Sequence, residues 1–157
     1  MIVSNSTPLI AFARIGELEL LRQVVQHVFV PEAVWNEVTE AGNRPGTTEI
    51  RSASWVEVQV VASIPPELLH LLDRGEAEAI ALAEEITAEE LLLDERAARA
   101  VAVARGVKII GSAGLLVRAK QRNLITVVRP FLERMQAQGI RYSRQFVDEL
   151  LRQLGES

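Results

Sequence analysis

Residues 71–111 read LLDRGEAEAIALAEEITAEELLLDERAARAVAVARGVKIIG, and the punctuation of this stretch decides the fold. Gly75 opens a helix in which Ala79, Ile80, Ala83 and Ile86 recur at helical spacing. Glu76 and Glu78 fall in its first turn, where the positive end of the helix dipole favours carboxylates. Leu91-Leu92-Leu93 is too short for a helix and suits a buried parallel strand that ends at Asp94. A second helix is predicted over residues 95–105, stopped by Gly106. Residues 107–110 read as the next buried strand. Helix, strand, helix, strand in this order is a piece of a parallel sheet. Such sheets bind ligands outside the carboxyl ends of their strands. Asp94 stands at such an end, and Glu76 starts the helix that feeds the same strand.

Outward from this unit the chain keeps the same grammar. Ile2-Val3 predicts a short strand, and Thr7 followed by Pro8 reads as the N-cap and first position of a helix over 8–14. A helix over 17–25, a strand over 28–30 and a helix over 31–40 follow, with Glu37 bordering the buried stripe of the last. Residues 41–48 hold Gly42, Asn43, Pro45 and Gly46 and predict a loop. A short helix over 48–53, an edge strand beginning in 55–61 and a helix over 65–72 lead into the central unit. Beyond it, helices are expected over 111–121, 129–138 and 144–154, the last capped by Ser143, with 124–128 a connector or short strand.

The composition narrows the class. A chain of 157 residues, 48% hydrophobic and 24% charged, is long enough for one domain, 1–157, with its own core. No apolar run approaches the ~20 residues that span a bilayer. The N-terminus lacks the basic start of a signal peptide, and there is no cysteine; a cytoplasmic location is the expectation. Charge is divided unevenly: residues 1–95 hold 17 acids and 5 bases, whereas residues 96–157 hold 4 acids and 12 bases. This asymmetry fits a polyanionic partner, and equally fits helix faces that satisfy one another.

Absent motifs exclude several chemistries. There is no GxGxxG, no P-loop and no GxSxG, and the two histidines, His27 and His70, have no second ligand at metal-binding spacing. Oxygen ligands remain. Asn5 follows the first strand, Glu37 lies on the third helix, Glu76 starts the central helix and Asp94 ends the central strand. Gathered at one sheet edge they form an all-oxygen cluster of the kind Mg²⁺ or Mn²⁺ prefers. The residues alone also allow Asp94 to be a simple helix cap and Glu76 a simple partner of the helix dipole.

These segments together resemble the PIN-domain family, in the variant similar to VapC-type toxins of toxin–antitoxin pairs. The resemblance runs through residues 2–10, where Asn5 stands in the place of the usual aspartate, and through 30–38, where the second acid falls on Glu37. It continues through 73–83, with the third acid on Glu76, and 91–96, with the fourth on Asp94. Leu92 stands where many members carry a hydroxyl residue. The resemblance implies a three-layer α/β/α sandwich around a mostly parallel sheet and a metal-dependent endoribonuclease. Mg²⁺ or Mn²⁺ would be held by Asn5, Glu76 and Asp94, with Glu37 assisting. RNA would be held by Arg96, Arg99, Arg118 and Arg122, on what the sequence places as the two helices nearest the site. A small cognate antitoxin protein and a homodimer are the expected partners. The alternative is a weakly active or inactive nucleic-acid- or protein-binding module, which Asn5 favours. A phosphoryl-transfer receiver has less support, since no paired acids follow the first strand.

Overall fold

The short apolar runs become strands. The computed structural model describes residues 1–40 and 45–157. In it β1 (Ile2–Ser4), β2 (Val28–Val30), β3 (Val56–Val58), β4 (Glu90–Leu92) and β5 (Ile109–Ile110) form one all-parallel sheet. The strand order is β3-β2-β1-β4-β5. The chain therefore winds from β1 out to β3, then returns to the other side of β1. The crevice where the winding reverses lies between β1 and β4, the place where open parallel sheets bind ligands. Ile2, Val3 and Ser4 stand opposite Glu90, Leu91 and Leu92, so the two strands end level with one another. Helices cover the sheet in a three-layer α/β fold.

The first helices are α1 (Ser6–Arg14), α2 (Leu18–Val25), α3 (Glu32–Thr39), α4 (Thr47–Arg51) and α5 (Pro66–Leu71). The C-terminal set is α6 (Arg74–Glu85), α7 (Arg96–Ala104), α8 (Ser112–Gln121), α9 (Arg129–Ala137) and α10 (Arg144–Gln153). The core runs through Val3, Leu9, Phe12, Ile80, Leu91, Leu93 and Leu115, all fully buried. None of the described helices is long and apolar enough to cross a membrane.

Helix α6 shows why the central unit folds as its sequence predicts. Asp73 accepts from the Glu76 backbone N–H at 2.8 Å, and Glu76 accepts from the Asp73 N–H at 3.2 Å, a reciprocal capping box. Glu78, expected to serve the helix dipole, is buried instead; it pairs with Arg74 at 2.8 Å and accepts from the Ala33 N–H at 3.2 Å. It thus ties α6 to α3. A Cβ at Gly75 would meet Glu37 Oε2 at 3.2 Å, so glycine lets the two helices approach.

Two local expectations differ. Helix α1 starts at Ser6 with Asn5 in the N-cap position, because the Thr7 hydroxyl is engaged by Glu95 rather than by the backbone. Strand β5 is two residues long and only half-buried, because it is the edge of the sheet. Residues 124–128, expected to be a connector or short strand, are a connector. Of the loop expected over 41–48, residues 41–44 lie outside the described residues.

Candidate active site

The ends of β1 and β4 bring two polar side chains to the crevice. The Asn5 backbone N–H donates to the Leu92 carbonyl at 2.9 Å, which carries the β1–β4 pairing one residue further and buries Asn5 to 3% exposure. Its Nδ2 lies 3.3 and 3.5 Å from the two oxygens of Glu95. A carboxylate accepts only, so the amide nitrogen must face it and Oδ1 is turned elsewhere. Oδ1 is buried and has no hydrogen-bond partner.

Asp94, two residues past β4, is held on one side only. Its Oδ1 accepts from the Ser112 backbone N–H at 2.8 Å and from the Ser112 hydroxyl at 3.0 Å, at the start of α8. The Tyr142 hydroxyl in turn bonds that of Ser112. The other oxygen, Oδ2, is buried without a partner. Burial pushes the Asp94 carboxyl above its ordinary value, against the two Ser112 bonds that lower it, and the Glu95 charge adds to the rise. Burial likewise holds the Tyr142 phenol up to about 12, so it is a neutral hydrogen-bonding group at any ordinary pH.

Glu95 is fixed by Asn5 and by the Thr7 hydroxyl. Glu37 accepts from the Ser6 hydroxyl at 2.7 Å. Burial raises the Glu76 carboxyl too, assisted by the charges of Asp73, Glu95 and Glu37. Glu95 is therefore the carboxylate whose field reaches both Glu76 and Asp94. Glu76 itself is spent on the capping box and would have to release the Asp73 N–H to reach further into the crevice.

Among the described residues no three Asp, Glu or His side chains converge closely enough to hold an ion by themselves. The fit to a divalent cation rests instead on two orphaned buried oxygens, Asn5 Oδ1 and Asp94 Oδ2, with the Glu95 carboxylate alongside. A buried polar atom left unpaired costs roughly 1–3 kcal/mol. An all-oxygen donor set that needs a partner suits a hard cation.

A groove of about 990 Å³ opens from this point. Ile109, Ile110, Ile140 and Leu150 form apolar lining, and Asp94, Glu95, Arg14, Arg96, Arg99 and Arg141 are its charged lining. None of these four arginines is in an ion pair among the described residues, whereas Arg22, Arg74, Arg105, Arg118, Arg129, Arg134, Arg144 and Arg152 all are. Arg51 and Arg122 are likewise in no ion pair among the described residues but lie elsewhere, donating to the Thr39 and Val24 carbonyls; the groove thus gathers four arginines without an ion pair beside Asp94 and Glu95. Tyr142 and Phe146 also line the groove, their rings 6.0 Å apart and 28° from parallel.

Of the arginines expected at RNA, Arg96 and Arg99 line the groove. Arg118 and Arg122 do not, and the expectation that they lie nearest the site is corrected. Arg118 makes two bonds of 2.7 and 2.8 Å to Glu90, at the opposite, amino-terminal edge of the sheet, and Arg122 donates to the Val24 carbonyl. Both sit in the last turn of α8 or just past it, while its first residue, Ser112, is the one at the site. Glu95, Ser112, Arg14, Arg141 and Tyr142 are site residues that the sequence pattern does not mark. Only Glu95, next to Asp94, carries a signal in the sequence that could find it.

A family model described as PIN domain matches residues 1–156. No curated protein matches the chain.

Proposed function

The chain belongs to the PIN-domain family, whose members are generally nucleases and typically use divalent metals, and on that premise we propose that it is a metal-dependent endoribonuclease. One observation carries the reading: two buried, unpartnered oxygens, Asn5 Oδ1 and Asp94 Oδ2, sit at the switch point of the sheet, and Asp94 lines an arginine-bearing groove. Asn5, Asp94 and Glu76 would hold Mg²⁺ or Mn²⁺, which supplies Lewis-acid activation of water and neutralises charge at the phosphate. Arg96 and Arg99 hold the phosphate backbone beside the carboxylates. Glu76, whose carboxyl is raised chiefly by burial, would leave its capping-box bond to the Asp73 N–H to join Asn5 and Asp94. Glu37 is oriented by Ser6 and adds negative charge on the α3 side.

A cytoplasmic toxin paired with a small antitoxin protein, and a homodimeric state, belong to the same proposal and rest on the sequence resemblance. Asn5 favours a second reading: a nucleic-acid-binding module that keeps the groove and has lost cleavage, because a neutral amide attracts a cation less than a carboxylate does. Cleavage of a generic single-stranded RNA by the parent chain and by Asp94→Asn, with and without Mn²⁺, separates the two. Mn²⁺-dependent cleavage that Asp94→Asn abolishes supports the nuclease. Salt-sensitive RNA binding with no cleavage supports the module.

A further inference from the structure

We propose that Glu95 is itself a direct ligand of the divalent cation, so that the carboxylate adjoining Asp94 in sequence completes the charge of a site in which Asn5 is neutral. The proposal rests on the reading of the crevice as a cation site and adds a ligand to it. Four features of the geometry lead to it. Glu95 lies against Asn5, whose oxygen is buried and unpartnered. Because the Asn5 amide nitrogen must face Glu95, it is Glu95 that fixes where the Asn5 oxygen points. Glu95 also follows Asp94 directly, and both line the wall of the groove. Finally, its acceptor capacity is not exhausted. A carboxylate offers about four lone-pair sites. The Thr7 hydroxyl and one long bond from Asn5 fall on Oε1, and a single 3.3 Å bond falls on Oε2.

The bland account is that Glu95 only anchors Asn5 and Thr7 at the start of α7. Charge and shape separate the two. In Glu95→Gln an oxygen at the Oε1 place still accepts from Thr7 and takes the longer of the two Asn5 bonds, but the charge is gone. In the swap variant Asn5→Asp/Glu95→Gln the hydrogen bond is reversed: the glutamine amide donates to an aspartate at position 5. The total charge of the pair is restored, moved across one hydrogen bond.

Mn²⁺ binding is measured by calorimetry for the parent, Glu95→Gln and the swap variant, alongside metal-free melting temperatures. The expected result is an affinity about tenfold or more weaker in Glu95→Gln, with a metal-free melting temperature equal to or above that of the parent, and recovery of most of the affinity in the swap variant. A Glu95→Gln variant that binds Mn²⁺ like the parent overturns the Glu95 assignment and leaves the cation site standing. Loss without any recovery in the swap variant assigns the effect to shape rather than charge and also overturns it. A parent chain that binds no Mn²⁺ removes the cation site and this ligand together.

Discussion

Replacing Asp94 by asparagine should stabilise the metal-free chain while destroying its cation binding. Asp94 is desolvated, with one oxygen held by Ser112 and the other held by nothing. Asparagine keeps an oxygen for both Ser112 donors and removes the buried negative charge. Relief of functional-site strain of this kind is worth about 0.5–2 kcal/mol. For a chain of this length each kcal/mol moves the melting temperature by roughly 2–4 °C. The pH dependence identifies the cause. The folded-state value of Asp94 is raised, so at pH below the unfolded-state value of about 4 both states are protonated and there is no penalty. As pH rises through that value and past the raised folded value, the folded state must ionise a group it holds poorly, and stability is lost. The difference in melting temperature between Asp94→Asn and parent should thus be near zero in acid and grow towards neutral pH. Comparing the two chains cancels the opposing contribution of Glu90, whose value is lowered by its bond from Arg118 and whose stabilisation fades in acid. Saturating Mn²⁺ should reverse the order at neutral pH, because only the parent gains binding energy. The assay is thermal unfolding by circular dichroism from pH 4 to 8, with chelator or with Mn²⁺. A variant less stable than the parent in chelator at neutral pH, or a difference that does not change with pH, refutes the reasoning.

Arg118→Ala should destabilise the chain by roughly 3 kcal/mol, since it leaves the buried Glu90 carboxylate without its bidentate partner; chemical denaturation measures this. In the Asp94→Asn background, Arg96→Ala with Arg99→Ala should reduce the slope of log affinity for single-stranded RNA against log salt by about one for each phosphate no longer neutralised; a fluorescence titration that finds the slope unchanged removes these residues from the interface. Gly111→Ala places a Cβ 2.6 Å from Arg99 Nη1 and 2.8 Å from Asp94 Oδ1, so it should displace both, costing roughly 1–3 kcal/mol in thermal unfolding and weakening Mn²⁺ binding by calorimetry. Asn5→Asp sets a carboxylate against Glu95 at about the present 3.3 Å separation; it should melt lower than the parent in chelator, higher in Mn²⁺, and cleave RNA faster.

The strands and their direction are legible because burial writes itself into short apolar runs. Leu91-Leu92-Leu93 is fully buried, and a strand covered on both faces has no polar alternation to confuse with a helix. Asp94 is legible for the same reason, since it is the first charge after such a run. The capping box of Asp73 and Glu76 is half legible: Glu76 in the first turn points to a helix start, but that start falls at Arg74 rather than Gly75, with Asp73 as its cap. The rest depends on pairs distant in the chain. Ser112 reaches Asp94 only because β5 lies beside β4, and Tyr142 reaches Ser112 only because the chain after α9 folds back across the groove. Arg118 and Arg122 fall away from the expected place because helical spacing gives the face of a residue and not its height. The rise of about 1.5 Å per residue carries Arg118 some 9 Å along α8 from Ser112, towards the far edge of the sheet.

The distribution of unsatisfied groups connects the fold to the proposed chemistry. Across the rest of the described core, buried polar side chains find partners: Glu90 has Arg118, Glu78 has Arg74 and the Ala33 N–H, and Ser4 bonds the Asn5 carbonyl. The two buried side-chain atoms without partners among the described residues both lie at the β1–β4 switch point. This is the crevice where the winding of the sheet reverses, the place where open parallel sheets bind ligands. Among the described residues the fold leaves this place unpaired and sets four arginines without ion pairs along the groove beside it, so stability is given up where the proposed cation and phosphate would restore it. The same reasoning explains why a neutral residue is tolerated at position 5. With Glu95 already alongside, a second carboxylate there would add repulsion to a site that is under-satisfied without its cation, whereas asparagine donates to Glu95 and keeps an oxygen free.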